Sequence, residues 1–154
     1  MKFISPLIVV SDLQISRNFY EKVLMQKVML DLGENLCFES GFSLQVNYTG
    51  LVGIDNLKIT YKSNDHELYF EEADFDQLEK HLEQFKDIEY LHKTKEYPWG
   101  QRVIRFYDPD YHIIEMGESM ESVFKRFHDN GMSVEEVAKR TMHPVEYVKN
   151  YISD

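Results

Sequence analysis

The sequence predicts an α+β fold in which two β-α-β-β-β modules form an incomplete barrel around a cleft, followed by a C-terminal helical extension. Two observations predict the modules: the order strand, helix and three strands occurs twice, and an acidic helix cap recurs about 60 residues further along the chain. A third observation, a change of composition after residue 119, predicts the extension. One module alone would leave a sheet face open, whereas two modules can share one core.

The first module is predicted to span about residues 1–48. Residues 3–10 form an apolar, β-branched run, and proline near its start suits the first residues of a strand. Ser11 and Asp12 offer an N-cap for a helix whose apolar residues, among them Phe19 and Leu24, recur at helical spacing. Three strand-like segments separated by glycine turns follow, at residues 27–32, 34–39 and 41–48.

The second module is predicted to span about residues 64–119, after a connection in which a further strand fits residues 57–62. Residues 67–71 alternate like a half-buried strand, and Asp74 caps a helix that carries Leu78 and Phe85 on its apolar side. Three more strands are expected at residues 88–94, 101–107 and 112–117. The turn between the last two is Asp-Pro-Asp, at residues 108–110.

The extension, residues 120–154, is expected to form two or three short helices. Gly131 would end the first helix, Ser133 would cap the second, and Pro144 would lie in the first turn of the third. We expect the apolar residues of the last two helices to be buried, namely Val137, Val145 and Val148.

The end of this extension resembles a helix-turn-helix core. A DNA-reading helix would need basic residues, whereas the last helix sets Lys149 against Glu146 and Asp154. The sequence therefore favours packing on the barrel, a dimer contact or a lid.

Composition and charge exclude several classes of protein. The chain is 43% hydrophobic, which is too apolar for a disordered protein, and it has no run of about 20 apolar residues for a membrane span. The net charge of −10 opposes binding to nucleic acid and suits either a cationic ligand or simple solubility. A single cysteine, Cys37, cannot form an internal disulfide, so we expect a cytoplasmic protein.

Three segments resemble the vicinal-oxygen-chelate superfamily, which contains glyoxalases, bleomycin-resistance proteins and ring-cleaving dioxygenases. They are VVSDLQISRNFYEKVL, HELYFEEADFDQLEKHLEQF and PWGQRVIRFYDPDYHIIEMGE, and together they cover residues 1 to about 118. The resemblance implies paired modules, a ligand cleft and a homodimer. It does not imply one particular reaction.

The resemblance also implies a set of metal-ligand positions, which this chain fills only in part. They correspond to Ser5, Gln45, Glu67 and Glu115. Ser5 stands where the family often has histidine or glutamine, so a divalent-metal site would be incomplete. His66 could take part only if the strand register shifted by one residue, which would turn apolar side chains into the cleft.

Strand alternation gives an independent test of which side chains face the cleft. Glu67 and Tyr69 share one side of their strand, as do Arg105 and Tyr107 on theirs, while Glu115 and Gln45 each fall on the same polar side. The candidate ligand-binding residues are therefore Gln45, Tyr69, Arg105, Tyr107 and Trp99, the last in a turn where it either covers a ligand or packs on the barrel rim. Glu115 is the candidate catalytic base, although Arg105 could instead pair with the carboxylates as an ordinary cross-strand ion pair.

These features leave three hypotheses for function. The first is a small-molecule protein of the glyoxalase type, with metal-assisted lyase or isomerase chemistry if it is an enzyme. The second is a binding protein that sequesters a cationic small molecule without turnover. The third is a regulator that senses a ligand in the barrel and acts through its C-terminal helices.

Overall fold

The computed structural model describes residues 1–152, and these residues form two compact units. The first unit contains residues 1–66 together with the turn 107–112, and the second contains residues 67–106 and the chain from Ile113 onward. Ser153 and Asp154, the last residues of the predicted extension, lie outside the described residues.

The first unit has the predicted β-α-β-β-β order. Asp12 caps the helix by accepting hydrogen bonds from the backbone N–H groups of Gln14 and Ile15. The sheet has the order β1-β4-β3-β2, in which β1 and β4 run parallel and the other pairs run antiparallel. The elements are β1 (Leu7–Val9), α1 (Leu13–Lys22), β2 (Val28–Asp31), β3 (Asn35–Phe38), β4 (Ser43–Gln45) and a short helix α2 (Tyr48–Val52).

The core of the first unit is aromatic, and a buried polar network ties it to the Asp-Pro-Asp turn. Tyr20 is fully buried and packs on Phe38 and Phe42. Its hydroxyl donates to Asp108 at 2.9 Å, and Asp110 accepts from the Ser16 hydroxyl and the Ser11 backbone. The predicted turn is therefore also a packing element of this unit.

The second unit repeats the topology of the first. Its sheet has the order β5-β8-β7-β6, with β5 and β8 parallel and β6 and β7 antiparallel. The first and last strands of each module are therefore neighbours in both units, which confirms the predicted duplication. The elements are β5 (Glu67–Glu72), α3 (Phe75–Leu82), β6 (Tyr90–Glu96), β7 (Arg102–Tyr107), β8 (Ile113–Glu118), α4 (Met120–Asp129), α5 (Val134–Thr141) and α6 (Val145–Lys149).

Two of the four apolar positions expected in the core are only half-buried. Leu24 and Leu78 are buried as predicted, but Phe19 and Phe85 are not fully enclosed. Tyr20 takes the most buried position of α1, and α3 ends at Leu82, before Phe85.

Two strand predictions need correction. In the described chain residues 57–62 form no strand, and α2 is the regular element of this connection. The opening strand begins at Leu7, so Ser5 precedes it instead of lying on it. The early proline explains the late start, because Pro6 has no N–H with which to extend the ladder.

The extension is helical and has its own apolar core. Ser119 caps α4, and Ser133 and Glu136 form a capping box at the start of α5. Val137 and Val148 are fully buried and Val145 is partly buried, in one cluster with Val123, Phe124, Phe127, Ala138 and Ile152. None of the helices in residues 1–152 is long and apolar enough to cross a membrane.

Candidate ligand-binding face

One side of the second sheet carries a connected set of polar and aromatic side chains. On β5 the exposed residues Glu67, Tyr69 and Glu71 alternate with the half-buried Leu68 and Phe70. The register places Tyr69 beside Glu115 of β8. We call this side of the sheet, with the side chains bonded to it, the polar face; its members are Glu67, Tyr69, Glu71, His92, Tyr97, Trp99, Gln101, Arg105 and Glu115.

Arg105 lies at the centre of the polar face and joins its two predicted metal-ligand carboxylates. Its Nε donates to Glu67 Oε2 at 2.9 Å, and Nη2 donates to Glu115 Oε2. Glu115 is nearly buried, with 11% of its side chain exposed, whereas 38% of the Glu67 side chain is exposed. In this structure Arg105 therefore forms the cross-strand ion pair that the sequence offered as the alternative to a metal site.

Two further residues complete the surroundings of Arg105, and sequence reasoning did not select either. Arg105 Nη1 donates to the Tyr97 hydroxyl at 2.6 Å and lies 3.3 Å from His92 Nε2. Burial disfavours the charged guanidinium, but the hydrogen bond and charge of Glu67, together with Tyr97, raise the pKa of Arg105 above its ordinary value. Arg105 is therefore a permanent cation between two carboxylates.

A second branch of the polar face runs from Tyr97 to Tyr69. The Tyr97 and Trp99 rings are stacked with centroids 4.7 Å apart, and the indole N–H donates to Gln101 Oε1 at 3.0 Å. Gln101 Nε2 donates to the Tyr69 hydroxyl at 2.8 Å, and that hydroxyl donates to Glu71 at 2.7 Å. Trp99 is thus part of a hydrogen-bonded row of aromatic rings on the sheet, not an isolated surface aromatic.

The Tyr69 phenol stays protonated over the physiological range. Burial, followed by the hydrogen bond to Glu71, raises the pKa of Tyr69 to about 12. Tyr69 therefore acts as a hydrogen-bond donor, and about half of the residue, 48%, is exposed to solvent.

A glycine makes room for this branch. A Cβ added at Gly117, which pairs with Glu71, would lie 2.8 Å from Gln101 Nε2 and 2.9 Å from Tyr69 Cε2. The absent side chain lets both residues lie across the sheet. Gln101 was detectable in the sequence, since it precedes Val103 and Arg105 at the two-residue spacing of one strand face.

The other predicted site residues belong to the first unit. Gln45 is buried, accepts a hydrogen bond from Asn35 at 3.0 Å and donates one to the Val46 carbonyl at 2.6 Å. Tyr107 donates to Asn64 at 2.6 Å, and the Lys62 ammonium lies 4.7 Å from its ring centre. The second unit by itself therefore brings together Glu67, Tyr69, Trp99, Arg105 and Glu115 of the predicted set.

The residues present do not fit a metal of the glyoxalase type. Glu67 and Glu115 share a guanidinium as their counter-ion, and Ser5 precedes the strand that would present it. Within residues 1–152 no three histidine, cysteine or acidic side chains are grouped as metal ligands would be. Arg105 binds both carboxylates and cannot be displaced without breaking several hydrogen bonds.

With this fold and face established, the family of the chain follows. Residues 3–121 match the model of the glyoxalase-like domain family, and the chain belongs to that family. The matched residues contain both modules and end at the start of α4. No protein with a curated description matches the sequence.

Solved structures agree with this assignment. A protein of unknown function from Agrobacterium tumefaciens str. C58 is 36% identical with a TM-score of 0.68, and the match covers 77% of this chain and 94% of that one. A glyoxalase/bleomycin resistance protein/dioxygenase from Nocardioides is 20% identical with a TM-score of 0.62, covering 77% and 83% of the two chains. The fosfomycin resistance protein FosX from Mesorhizobium loti is 17% identical with a TM-score of 0.56, covering 77% and 92%. The two more distant structures support the fold alone.

Proposed function

We propose that this protein binds a flat, positively charged small molecule on the polar face and does so without a metal ion. The observation that carries the proposal is the composition of that face. Three carboxylates, those of Glu67, Glu71 and Glu115, accompany a single guanidinium, and partly exposed aromatic rings lie beside them. Aromatic faces next to an excess of negative charge attract cations and stack on flat ligands.

The hydrogen bonds within the polar face support a preformed site. Arg105 fixes Glu67 and Glu115, and Gln101 fixes Trp99 and Tyr69. Side chains already held in one geometry lose little conformational entropy when a ligand binds. The net charge of −10 supports the same class of ligand, because it attracts cations from a distance.

The family is consistent with such a role but does not specify it. Bleomycin-resistance proteins, which the sequence resembles, sequester a cationic compound, and the names of the similar structures include both resistance proteins and enzymes. The proposal therefore depends on the polar face of this chain.

Trp99 is the only tryptophan of the chain, so its fluorescence reports on the polar face alone. We expect saturable quenching of Trp99 by ethidium or by a bleomycin-class glycopeptide, and none by an anionic dye of similar size. Glu71→Gln should weaken binding of the cation about threefold to tenfold, because it removes one negative charge from the polar face. Glu39→Gln, the same change on an exposed residue of the first unit, should leave the affinity unchanged.

Quenching by neither cation, or equal quenching by the anionic dye, would overturn the proposal. Elemental analysis of protein purified without chelator tests the competing hypothesis of a metal-dependent lyase or isomerase. We expect substoichiometric metal. A stoichiometric divalent ion that is lost in Glu115→Gln would instead support Glu115 as a metal ligand. It would also support a metal-dependent enzyme over a binding protein.

A cytoplasmic location and a homodimer, both expected from the sequence, are part of this proposal. Light scattering of the purified protein should give twice the mass of the 18.4 kDa chain. A monomer at all concentrations would remove the dimer from the proposal without affecting ligand binding on the second unit.

A further inference from the structure

The C-terminal helices contact the segment of the second unit that carries the aromatic part of the polar face. We call residues 96–101, which run from the last residue of β6 to the residue before β7, the aromatic loop; it contains Tyr97, Trp99 and Gln101. The family match ends at residue 121, so almost all of the residues that contact this loop from the extension lie beyond the part shared with the family.

Two arginines of the extension bind the backbone of the aromatic loop. Arg126 of α4 donates from Nη2 to the Gly100 carbonyl at 2.6 Å, and Arg140 of α5 donates from Nη1 to the Pro98 carbonyl. The two carbonyls flank Trp99 in the chain. Both arginines also bind Glu96 at the start of the loop, at 3.5 Å from Arg126 and 3.1 Å from Arg140.

An aromatic ring of α4 packs on the same loop. Phe127 lies so close to Gly100 that a Cβ at this glycine would be 2.3 Å from Phe127 Cε2. The guanidinium groups of Arg126 and Arg140 lie 4.8 and 5.5 Å from the centre of this ring. Ring and guanidinium groups thus form one assembly against the loop.

The extension has a core of its own, so the arginine contacts are additional to its packing. Its buried cluster consists of residues between Val123 and Ile152. The Arg126 guanidinium is also fixed by the buried Glu118, to whose two oxygens its Nε and Nη2 donate at 3.1 and 2.8 Å. Helices with a core of their own therefore hold the aromatic loop at two of its carbonyls.

We infer that the extension is a positioning device for ligand binding, in which Arg126, Phe127 and Arg140 fix the aromatic loop so that Tyr97 and Trp99 present one stacked surface. This inference rests on the proposed function, since it assigns the extension to the same polar face. Arg140 is the residue to test, because 38% of its side chain is exposed. Its two hydrogen-bond acceptors, the Pro98 carbonyl and the Glu96 carboxylate, both belong to the loop.

The decisive measurement needs no ligand. Acrylamide quenching of Trp99 reports how well the indole is held and shielded, and we compare the wild type with Arg140→Gln. The neighbouring Lys139→Gln is the matched control, since it removes the same charge from an exposed position of α5. We expect the quenching constant to rise about twofold in Arg140→Gln and to stay at the wild-type value in Lys139→Gln, with helical content by circular dichroism unchanged in both.

Ligand titration supplies the second readout. Arg140→Gln should weaken ethidium binding about fivefold, on the order of one ordinary hydrogen bond, while Lys139→Gln binds like the wild type. Arg140→Lys keeps the charge but lacks the planar guanidinium, so its affinity for ethidium should lie between those of the wild type and Arg140→Gln. It replaces Arg140→Gln if that variant does not fold.

An unchanged quenching constant in the Arg140 variants overturns the inference, whatever the ligand does. A raised constant with unchanged affinity overturns it as well, because the loop would then be held without contributing to binding. If the wild type binds no cation, the proposed function fails, and the role of the extension in fixing the loop is still decided by the quenching constant.

Discussion

Glu118 is a buried carboxylate that two arginines of the second unit bind, and it lies outside the polar face. Arg102 and Arg126 each donate two hydrogen bonds to it, at distances from 2.8 to 3.1 Å, and it is only 2% exposed. Burial alone would raise the pKa of Glu118, but the two guanidinium groups lower it below its ordinary value of 4.5. A carboxylate whose pKa is lowered by folding stabilises the protein above its unfolded pKa, and this contribution is lost as the pH falls through the folded pKa.

Glu118→Gln should therefore lower the free energy of unfolding by about 3 kcal/mol near pH 7, since two partly buried guanidinium groups lose the buried carboxylate that they share. The difference from the wild type should shrink as the pH falls below 4.5, because Glu118 is protonated first in the unfolded chain and then, at its lowered pKa, in the folded protein. Urea denaturation at pH 7 and pH 3 measures both values, with the exposed Glu83→Gln as control. A difference that is the same at both pH values would show that the charge of Glu118 does not stabilise the fold.

The loop between β6 and β7 depends on a glycine for two separate reasons. Gly100 has a φ of +86°, a left-handed conformation that L side chains rarely adopt, and its α-carbon faces the Phe127 ring. Gly33 has a similar φ of +82°, but nothing lies within 4 Å of a Cβ built there. A side chain at Gly33 would therefore cause backbone strain alone, whereas one at Gly100 would cause the same strain and also collide with Phe127 of the extension.

Gly33→Ala should cost about 1 kcal/mol of unfolding free energy, the usual penalty for the left-handed conformation. Gly100→Ala should cost about 3 kcal/mol, because the new methyl group must also displace the Phe127 ring. Urea denaturation gives both values, and Trp99 emission should shift only in Gly100→Ala. Equal costs at the two glycines would mean that Phe127 yields easily and does not hold the loop.

At the scale of the whole molecule, the excess of acidic residues governs how fast a ligand arrives. Twenty-seven aspartates and glutamates stand against 17 lysines and arginines, which gives the net charge of −10. Such a field raises the association rate of cations, and salt screens it over a Debye length of about 10 Å at 0.1 M ionic strength.

We expect the association rate of ethidium to fall about tenfold between about 20 mM and 500 mM salt, with a much smaller change in the dissociation rate. Stopped-flow measurement of Trp99 quenching gives both rates. An uncharged aromatic compound that also quenches Trp99 serves as the control and should associate at a rate independent of salt. A salt-independent rate for ethidium would show that the net charge has no part in recognition.

The order of elements was readable from the chain because it depends on local chemistry. Asp12, Asp74 and Ser133 were each predicted as helix caps, and each accepts a backbone hydrogen bond at the start of its helix. The strand residues at the centre of the polar face followed from alternation, which placed Glu67, Tyr69, Arg105 and Glu115 on one side, whereas His92 and Tyr97 did not. The extents of β1 and α3 were overestimated, since apolar residues such as Ile4 and Phe85 continue the apolar pattern beyond the regular strand and helix.

What only the tertiary structure decided is which partner each polar group finds. Alternation placed Glu67 and Glu115 on one face but could not show that Arg105 binds both, because that depends on the order β5-β8-β7 across the sheet. Alternation also gave no sign that Arg126 and Arg140, which lie 26 and 42 residues after the carbonyls of Gly100 and Pro98, would bind them. Hydrogen bonds between residues distant in the chain are fixed by packing. The sequence by itself therefore determined the two modules and the strand residues of the polar face. The tertiary structure decided that Arg105 lies between the two carboxylates and that the C-terminal helices hold the aromatic loop.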